Sequence, residues 1–451
     1  MEDGAVLDQT EDEELPPQDQ DGDPGDEWDT DLETDDATSR RQSLSRAELY
    51  LQACQEIGVH PVSSFLRNLN ETSLNLNHYG VGPLGAKALA RALGEDRVIT
   101  HLELEDNTLG ATGTHYLMEM LILNNSIESL NLSNNQLQRK GAKIVSTMLA
   151  DNYKIKSIKL SGNEFGDSAI KYIAEVLKGD YVVTELDLSN NKFYDAGGEY
   201  LGHMLGSNLG IEDLNLSWNH LSMRGAAAVC AALKLNSTLK HLHLSWNGFG
   251  HFGTEKLGQA LKQNSTLVLL DLSCNHIDDE AVTLLCQGLA ANNTLRVLKL
   301  SPNPITNVGA LTLLTTVKNN KNSAVEEIDI SSVFVCEAFV ELLEEARQRR
   351  PALDVRYSVM SSVTRNISAL QVFQKFLKMK NESIMDFFQA LDKEGTMKVS
   401  TSAFRTAVKE ANVPLDQRQL EWLVKKFDKS CSATIMYSLL SCRRYRDVHQ
   451  L

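Results

Sequence analysis

The chain has 451 residues, of which 42% are hydrophobic and 23% charged, and its formal net charge is −16. This apolar content is enough for a large core, and no run of about 18 apolar residues predicts a membrane-spanning helix. The first residues, MEDGAVLDQTEDEELPPQ, lack the basic start and apolar core of a signal peptide, so we expect a cytoplasmic protein that does not bind membranes.

Residues 1–45 are acidic and poor in apolar side chains, which predicts a disordered tail. Residues 1–36 contain seventeen Asp and Glu and no Lys or Arg, whereas the rest of the chain has 43 acidic and 44 basic residues. This nearly neutral body has no general basic footprint for nucleic acid. The tail is interpreted as solubilising or as a contact for a basic partner. Ser43, which follows Arg40 and Arg41, is a candidate phosphorylation site.

Residues 46–69 are predicted to form a helical cap, and residues 70–358 a solenoid, because a Leu-x-Leu motif recurs every 28 residues. The first residues of the nine regular copies are Leu74, Leu102, Leu130, Ile158, Leu186, Leu214, Leu242, Leu270 and Leu298. A tenth copy begins at Ile328, two residues later than the 28-residue step predicts. An eleventh copy, which departs further from the motif, begins at Leu353.

Each unit is predicted to be a strand, a turn, a helix and a turn. The two leucines alternate into the core, and helical spacing places residues such as Val229 and Leu233 against the strand. An asparagine follows five residues after the first leucine in eight units, where its amide can bond backbone groups that the bend leaves unpaired. Glycine often follows eleven residues after that leucine, and we expect it to ease the turn into the helix. Asn236 and Asn264 begin glycosylation sequons, but they recur with the unit and are interpreted as structural.

Strands pack about 4.8 Å apart and helices about 10 Å apart, so stacked units must curve with their strands inside. The predicted fold class is therefore α/β: a horseshoe-shaped solenoid of 28-residue units, with a concave parallel sheet and outer helices. A small all-α module is predicted to follow it.

Over about residues 66–358, the unit with Asn after Leu-x-Leu-x-x resembles the ribonuclease-inhibitor-like class of leucine-rich repeats. Together with LYLQACQEIGVHPVSSFLRNL before the first unit, the arrangement resembles the leucine-rich repeat-containing protein 74 group. The ribonuclease inhibitor is rich in cysteine at the Asn position, and this chain is not. Ribonuclease inhibition is therefore not implied.

Residues 359–379 are predicted to form a connecting helix, and residues 380–447 resemble a degenerate EF-hand pair whose loops begin at Asp392 and Asp428. Val399 and Ile435 occupy the position at which the two loops pair. Calcium requires a bidentate Glu at loop position 12 and Gly at position 6. Position 12 is Ala403 and Leu439, and position 6 is Met397 and Ala433. We therefore expect the module not to bind calcium.

The side chains between the two leucines of each strand are expected to point into the concave space, where their mixed charge suits a protein partner. They are Asn75, Glu103, Asn131, Lys159, Asp187, Asn215, His243, Asp271, Lys299 and Asp329. Trp218 and Trp246 precede the repeat asparagine in adjacent units and are either an aromatic anchor for that partner or packed on neighbouring loops. His241 and His243 could ligate a metal ion, but no third ligand is assured, so an ordinary exposed pair is favoured.

No nucleophile–base pair, phosphate-binding glycine loop or carboxylate pair stands out from the repeat, so we expect a protein that is not an enzyme and has no cofactor. The main hypothesis is a protein-interaction scaffold that uses the concave face. The resemblance also allows a regulator of a small GTPase or a structural component of a cilium or flagellum. The sequence does not decide among these.

Overall fold

The computed structural model describes residues 45–359, 362–380, 382–393, 395–411, 413–415, 417–428 and 433–437. Every element below belongs to the unit Arg46–Leu451. The predicted tail and its candidate phosphorylation site, Ser43, lie outside the described residues.

Two cap helices, α1 (Arg46–Ile57) and α2 (Ser63–Arg67), precede the repeats. The strands are β1 (Ser73–Asn75), β2 (His101–Glu103), β3 (Ser129–Asn131), β4 (Ser157–Lys159), β5 (Glu185–Asp187), β6 (Asp213–Asn215), β7 (His241–His243), β8 (Leu269–Asp271), β9 (Val297–Lys299), β10 (Glu327–Val335) and β11 (Asp354–Val359). The helices that follow β1 to β10 are α3 (Gly82–Leu93), α4 (Gly110–Leu123), α5 (Gln138–Asp151), α6 (Asp167–Leu177), α7 (Asp195–Leu205), α8 (Met223–Leu233), α9 (Gly250–Leu261), α10 (Asp279–Leu289), α11 (Asn307–Asn319) and α12 (Glu337–Arg349).

The eleven strands form one parallel sheet in chain order, which confirms the predicted solenoid. Each leucine pairs in register with its equivalent in the next unit, as Leu214 does with Leu242. The last unit differs from the prediction, because Ile328 pairs with Val355 and not with Leu353. Leu353 is buried just before the strand, in the role that Val325 has one unit earlier.

The core is the layer between the sheet and the helices. Strand leucines such as Leu214 and helix residues such as Val229 and Leu233 are fully buried there, as the two periodicities predicted. This cluster runs from Tyr50 to Val355. No helix among the described residues is both long enough and apolar enough to cross a membrane.

A ladder of buried asparagines ties each unit to the one before it. The side-chain amide of Asn219 donates to the carbonyl oxygens of Leu188, 3.1 Å away in the preceding unit, and of Leu216, 3.1 Å away in its own unit. Its Oδ1 accepts from the backbone N–H of Phe193. The same bond to a leucine 31 residues earlier is made by Asn107, Asn135, Asn163, Asn191, Asn247, Asn275 and Asn303. The predicted role of these asparagines is confirmed.

A second asparagine ladder lies at the turn from each helix to the next strand. The sequon asparagines Asn236 and Asn264 are buried, and their amides donate to the carbonyl oxygens of Leu205 and Leu233 at 2.9 and 2.8 Å. Asn124, Asn152, Asn208, Asn292 and Asn320 make the equivalent bond. Their side chains are therefore structural, as the repeat position indicated.

The recurrent glycines do not have the role that the sequence suggested. They lie inside the helices, and none has a left-handed backbone. A Cβ atom at Gly113 would lie 3.0 Å from the Cα of Pro83, and one at Gly225 would lie 3.0 Å from the Cα of Asp195. Gly113 and Gly225 thus let neighbouring helices approach closely, whereas at other recurrent glycines, such as Gly141, a Cβ atom would meet the side chain four residues earlier. Left-handed turns occur elsewhere in the unit.

The C-terminal part contains the helices α13 (Ser362–Met379), α14 (Ile384–Leu391), α15 (Thr401–Glu410) and α16 (Gln417–Phe427). Two short strands, β12 (Lys398–Ser400) and β13 (Thr434–Met436), pair antiparallel, and Val399 lies opposite Ile435 as predicted. Phe373, Phe388, Phe404 and Tyr437 are buried in a core that shares no residue with that of the repeats.

Candidate protein-binding site

The predicted binding residues of the strands form one continuous row. We call the side of the sheet that carries the first and third residue of each strand the strand face. On it, Asp187 pairs with Asn215, Asn215 with His243, His243 with Asp271 and Asp271 with Lys299, each in the adjacent strand. Lys159 precedes Asp187 in the same row. The core leucine between the flanking side chains is buried in each of these strands, whereas the flanking side chains are half-buried.

Three residues of this row also have a structural role. Oδ1 of Asp187, Asn215 and Asp271 accepts a hydrogen bond from the backbone N–H two residues later, at 2.9, 3.0 and 3.0 Å. This bond satisfies an amide at the end of the strand, and Asn and Asp side chains make such local bonds readily. In both aspartates the second carboxylate oxygen is left for another partner. Neither aspartate forms an ion pair with Lys or Arg among the described residues.

The two histidines face a carboxylate in the preceding strand. Nδ1 of His241 lies 3.0 Å from Oδ2 of Asp213, and Nε2 of His243 lies 3.8 Å from Oδ1 of the same residue. Within the part of the chain that the structure describes, no three His, Cys, Asp or Glu side chains form a group that could hold a metal ion. The pair is thus tied to Asp213, a residue that the sequence analysis did not select.

Acidic residues outnumber basic residues on the strand face. The first residues of the strands include Glu185, Asp213, Glu327 and Asp354, but no Lys or Arg. The third residues add Glu103, Asp187, Asp271 and Asp329, together with Lys159, Lys299 and Arg356. Arg356 lies 3.1 Å from Glu327 and 3.8 Å from Asp354. The prediction of a mixed charge rested on the third residues of the strands alone. The first residues add four carboxylates and make the strand face predominantly acidic.

Trp218 and Trp246 lie three residues beyond the ends of β6 and β7, at the carboxyl edge of the sheet. Their rings stack with centroids 4.1 Å apart and planes inclined by 16°. The residues remain 52% and 48% exposed. The tryptophans therefore contact each other and still present much of their surface to solvent.

Both tryptophans have a left-handed backbone, with φ values of 56° and 55°. The same position in other units is left-handed too: Asp106, Asn134, Gly162 and Asn190 are residues that tolerate it, and His78 and Cys274 also adopt it. A bulky side chain in this conformation costs about 1–2 kcal/mol relative to the right-handed form. The left-handed backbone therefore does not favour tryptophan at either position. Residues in such unfavourable backbone conformations often mark functional positions.

Other aromatic and sulfur-containing side chains lie near this edge. The rings of Tyr194 and His220 stack with centroids 4.7 Å apart, and both residues are exposed. Cys274 has the same position in the unit after Trp246 and is half-buried. Partial burial and the neighbouring Asp271 carboxylate raise the pKa of its thiol, so the thiol stays protonated near neutral pH.

The first EF-hand-like loop is closed by hydrogen bonds to its leading aspartate. Oδ1 of Asp392 accepts from the backbone N–H of Thr396 at 3.1 Å, and Oδ2 accepts from the backbone N–H of Met397 at 2.6 Å and from the hydroxyl of Tyr437 at 2.8 Å. Partial burial opposes ionisation, but the bonds from Tyr437 and the loop outweigh it and lower the pKa of Asp392. Met397 and Ala433 keep the left-handed backbone of loop position 6, although neither is glycine.

The leucine-rich repeat family profile matches six segments of the chain, residues 123–143, 182–202, 209–230, 235–257, 263–286 and 291–314. Human leucine-rich repeat-containing protein 74B is 46% identical over 69 residues, which is 15% of this chain and 17% of that protein. The mouse protein of the same name is 49% identical over 47 residues, or 10% of this chain and 12% of that protein. The matched part thus spans less than a fifth of either relative.

Solved structures that match this chain include the complex of Rad7 and Elc1 in yeast. That match has a TM-score of 0.37 and 16% sequence identity, and it covers 72% of this chain and 90% of the other. The structure of actin-binding site 2 of leiomodin-1 has a TM-score of 0.27 and 22% identity, and it covers 38% of this chain and 86% of the other.

Proposed function

Because this chain is a leucine-rich repeat protein, we propose that it is a non-enzymatic scaffold that binds a protein partner on its strand face. The observation that carries the proposal is the stacked and half-exposed pair of Trp218 and Trp246 on left-handed backbone. Exposed tryptophans are enriched among the few residues that dominate binding energy at protein interfaces. The strand face beside them supplies polar and charged side chains for a surrounding rim.

The composition of the two faces supports this choice. The helix side of each strand is taken up by the core, whereas the strand face carries half-buried side chains from β4 to β10, most of them polar. Lys159 and Lys299 form no ion pair and no side-chain hydrogen bond among the described residues, although both are half-buried. A GTPase-regulating or ciliary role stays a prediction from family resemblance, since no described residue favours either.

The test begins with affinity purification of the full chain and mass spectrometry to identify the partner. Affinity for that partner is then measured for the double variant Trp218→Asn and Trp246→Asn. Asparagine occupies this position at Asn134 and Asn190, so it suits the backbone. We expect the affinity to fall at least about thirtyfold, as for hot-spot residues.

The variant should be at least as stable as the original chain. The lost ring stack is worth about 0.5–1.5 kcal/mol, and relief of the left-handed backbone returns about 1–2 kcal/mol per residue. The matched control is Tyr153→Asn with Tyr181→Asn, also an exposed aromatic pair at one repeat position, where Asn125 stands in another unit. The control should bind the partner within about twofold of the original chain. Equal binding by the tryptophan variant would refute the proposed site.

A further inference from the structure

The strand face is acidic where it runs between the two lysines of its central row. From β5 to β8 it carries Glu185, Asp187, Asp213 and Asp271, and no Lys or Arg. Lys159 and Lys299 stand only in the flanking strands β4 and β9. Trp218 and Trp246 follow two strands of this stretch, β6 and β7, at the carboxyl edge of the sheet. A partner that covers this area must therefore meet an excess of negative charge.

No Lys or Arg forms an ion pair with these carboxylates among the described residues, although Lys159 and Lys299 stand beside Asp187 and Asp271 in the neighbouring strands. Asp187 and Asp271 each use one oxygen for a backbone N–H, and no Lys or Arg forms an ion pair with either of them. Glu185 accepts a hydrogen bond only from the neutral hydroxyl of Ser157, at 2.8 Å. Asp213 faces the imidazole groups of His241 and His243, and no Lys or Arg among the described residues forms an ion pair with it. Like charges held close together on a half-buried surface favour the approach of a cation.

We propose that the partner inserts an arginine-containing segment into this region, with its guanidinium groups on the carboxylates of β5–β8 and on the tryptophan pair. The proposal rests on the scaffold function above and names the chemistry of the partner. A guanidinium group fits it best, because it binds carboxylates through two parallel N–H bonds and also stacks on indole rings. A lysine ammonium can satisfy the carboxylates but stacks less well, and a phosphate polymer would be repelled.

The probe is a fluorescent glycine–serine peptide that carries several arginines, with matched peptides that carry lysine or glutamate instead. Binding to the full chain is measured by fluorescence anisotropy. We expect the arginine peptide to bind most tightly, the lysine peptide more weakly and the glutamate peptide not at all. In the double variant Trp218→Asn and Trp246→Asn, the preference for arginine over lysine should disappear.

The decisive variant is Asp187→Asn with Asp271→Asn. Asparagine at this position keeps the local fold, because Asn131 and Asn215 accept the same backbone hydrogen bond at 3.0 Å. Removing the two charges should weaken the arginine peptide roughly tenfold. Because the acidic tail could also attract this peptide, the control is Asp19→Asn with Asp21→Asn, which removes two charges there and should change binding less than about twofold.

Unchanged binding by the strand-face variant, or a larger loss in the tail variant, would overturn the arginine assignment. The two proposals fail separately. If capture of the natural partner needs the tryptophans but tolerates Asp187→Asn with Asp271→Asn, the scaffold stands and the arginine assignment is wrong. If neither pair affects capture, the proposed binding face is wrong.

Discussion

Asn135 illustrates how a single side chain holds two units together. Its amide donates to the carbonyl oxygens of Leu104, Leu132 and Ser133 at 2.9, 3.1 and 3.0 Å, and its Oδ1 accepts from the backbone of Asn107. The residue is fully buried. Loss of the amide therefore leaves backbone groups without their partner in two neighbouring units.

We predict that Asn135→Leu lowers the free energy of unfolding by at least about 1–3 kcal/mol, the cost of leaving a buried polar group without a partner. Urea denaturation followed by circular dichroism measures this change. The adjacent Asn134 is exposed and left-handed, so Asn134→Gly should change stability by no more than about 0.5 kcal/mol. Equal stability of the two variants would contradict a structural role for the ladder.

At this scale the sequence predicted the asparagine ladder, because a polar residue that recurs at a bend must satisfy the backbone there. The left-handed backbone at Trp218 was not predicted, although Asp106, Asn134, Gly162 and Asn190 at the same position are residues that favour it. That the two tryptophans lie side by side follows from their positions in adjacent units, but the stacked orientation of their rings depends on side-chain rotamers, which the residue pattern does not contain.

Among the elements, the loop that begins at Asp392 is held by hydrogen bonds from within the chain. The Tyr437 hydroxyl, from just beyond β13, and backbone N–H groups of the loop occupy oxygens that a cation would need. The ring of Tyr437 also stacks on Phe388 with centroids 5.7 Å apart. The hydroxyl and the ring therefore link the loop to the core of this part of the chain.

We predict that millimolar calcium leaves the thermal unfolding of the full chain unchanged, and that Tyr437→Phe lowers the unfolding midpoint of the C-terminal part. The substitution keeps the buried ring and removes only the hydroxyl that bonds Asp392. Differential scanning calorimetry with calcium or with a chelator measures both effects. A calcium-dependent rise in the midpoint would mean that the loop binds the ion after all, since a ligand of the folded state always stabilises it.

The order of the strands and the pairing of Val399 with Ile435 were predictable, because both follow from positions fixed within a repeat. The register of β11 was not, since Leu353 and Val355 are both apolar and lie on the same side of a strand. The helical glycines were also misread. For Gly113 and Gly225 the close neighbours belong to the preceding unit, so there the need for a small residue arises only when the units stack.

At the scale of the whole molecule, two hydrophobic cores without a shared residue suggest two unfolding transitions. We predict that Phe388→Ala lowers the free energy of unfolding of the C-terminal core alone, by about 3–5 kcal/mol. Leu214→Ala should lower that of the repeats alone, by about 2–5 kcal/mol. Both side chains are fully buried. Calorimetry of the two variants separates the transitions.

Each variant serves as the control for the other. A single transition that moves with both substitutions would show that the two cores unfold as one unit. In the repeats themselves, each unit contacts its neighbours, so a cavity at Leu214 should weaken the units on either side as well.

The regular step of the repeat also restricts how this chain can change during evolution. A deletion of one whole unit would bring each strand leucine, asparagine and helix onto an equivalent neighbour, whereas a deletion of a few residues within a strand or beside its asparagine would break both ladders. The tenth unit shows where length can vary, because its two additional residues lie in the loop between Asn320 and Val325. Natural relatives of this protein are therefore expected to differ in length by whole units, or within the loops between a helix and the next strand.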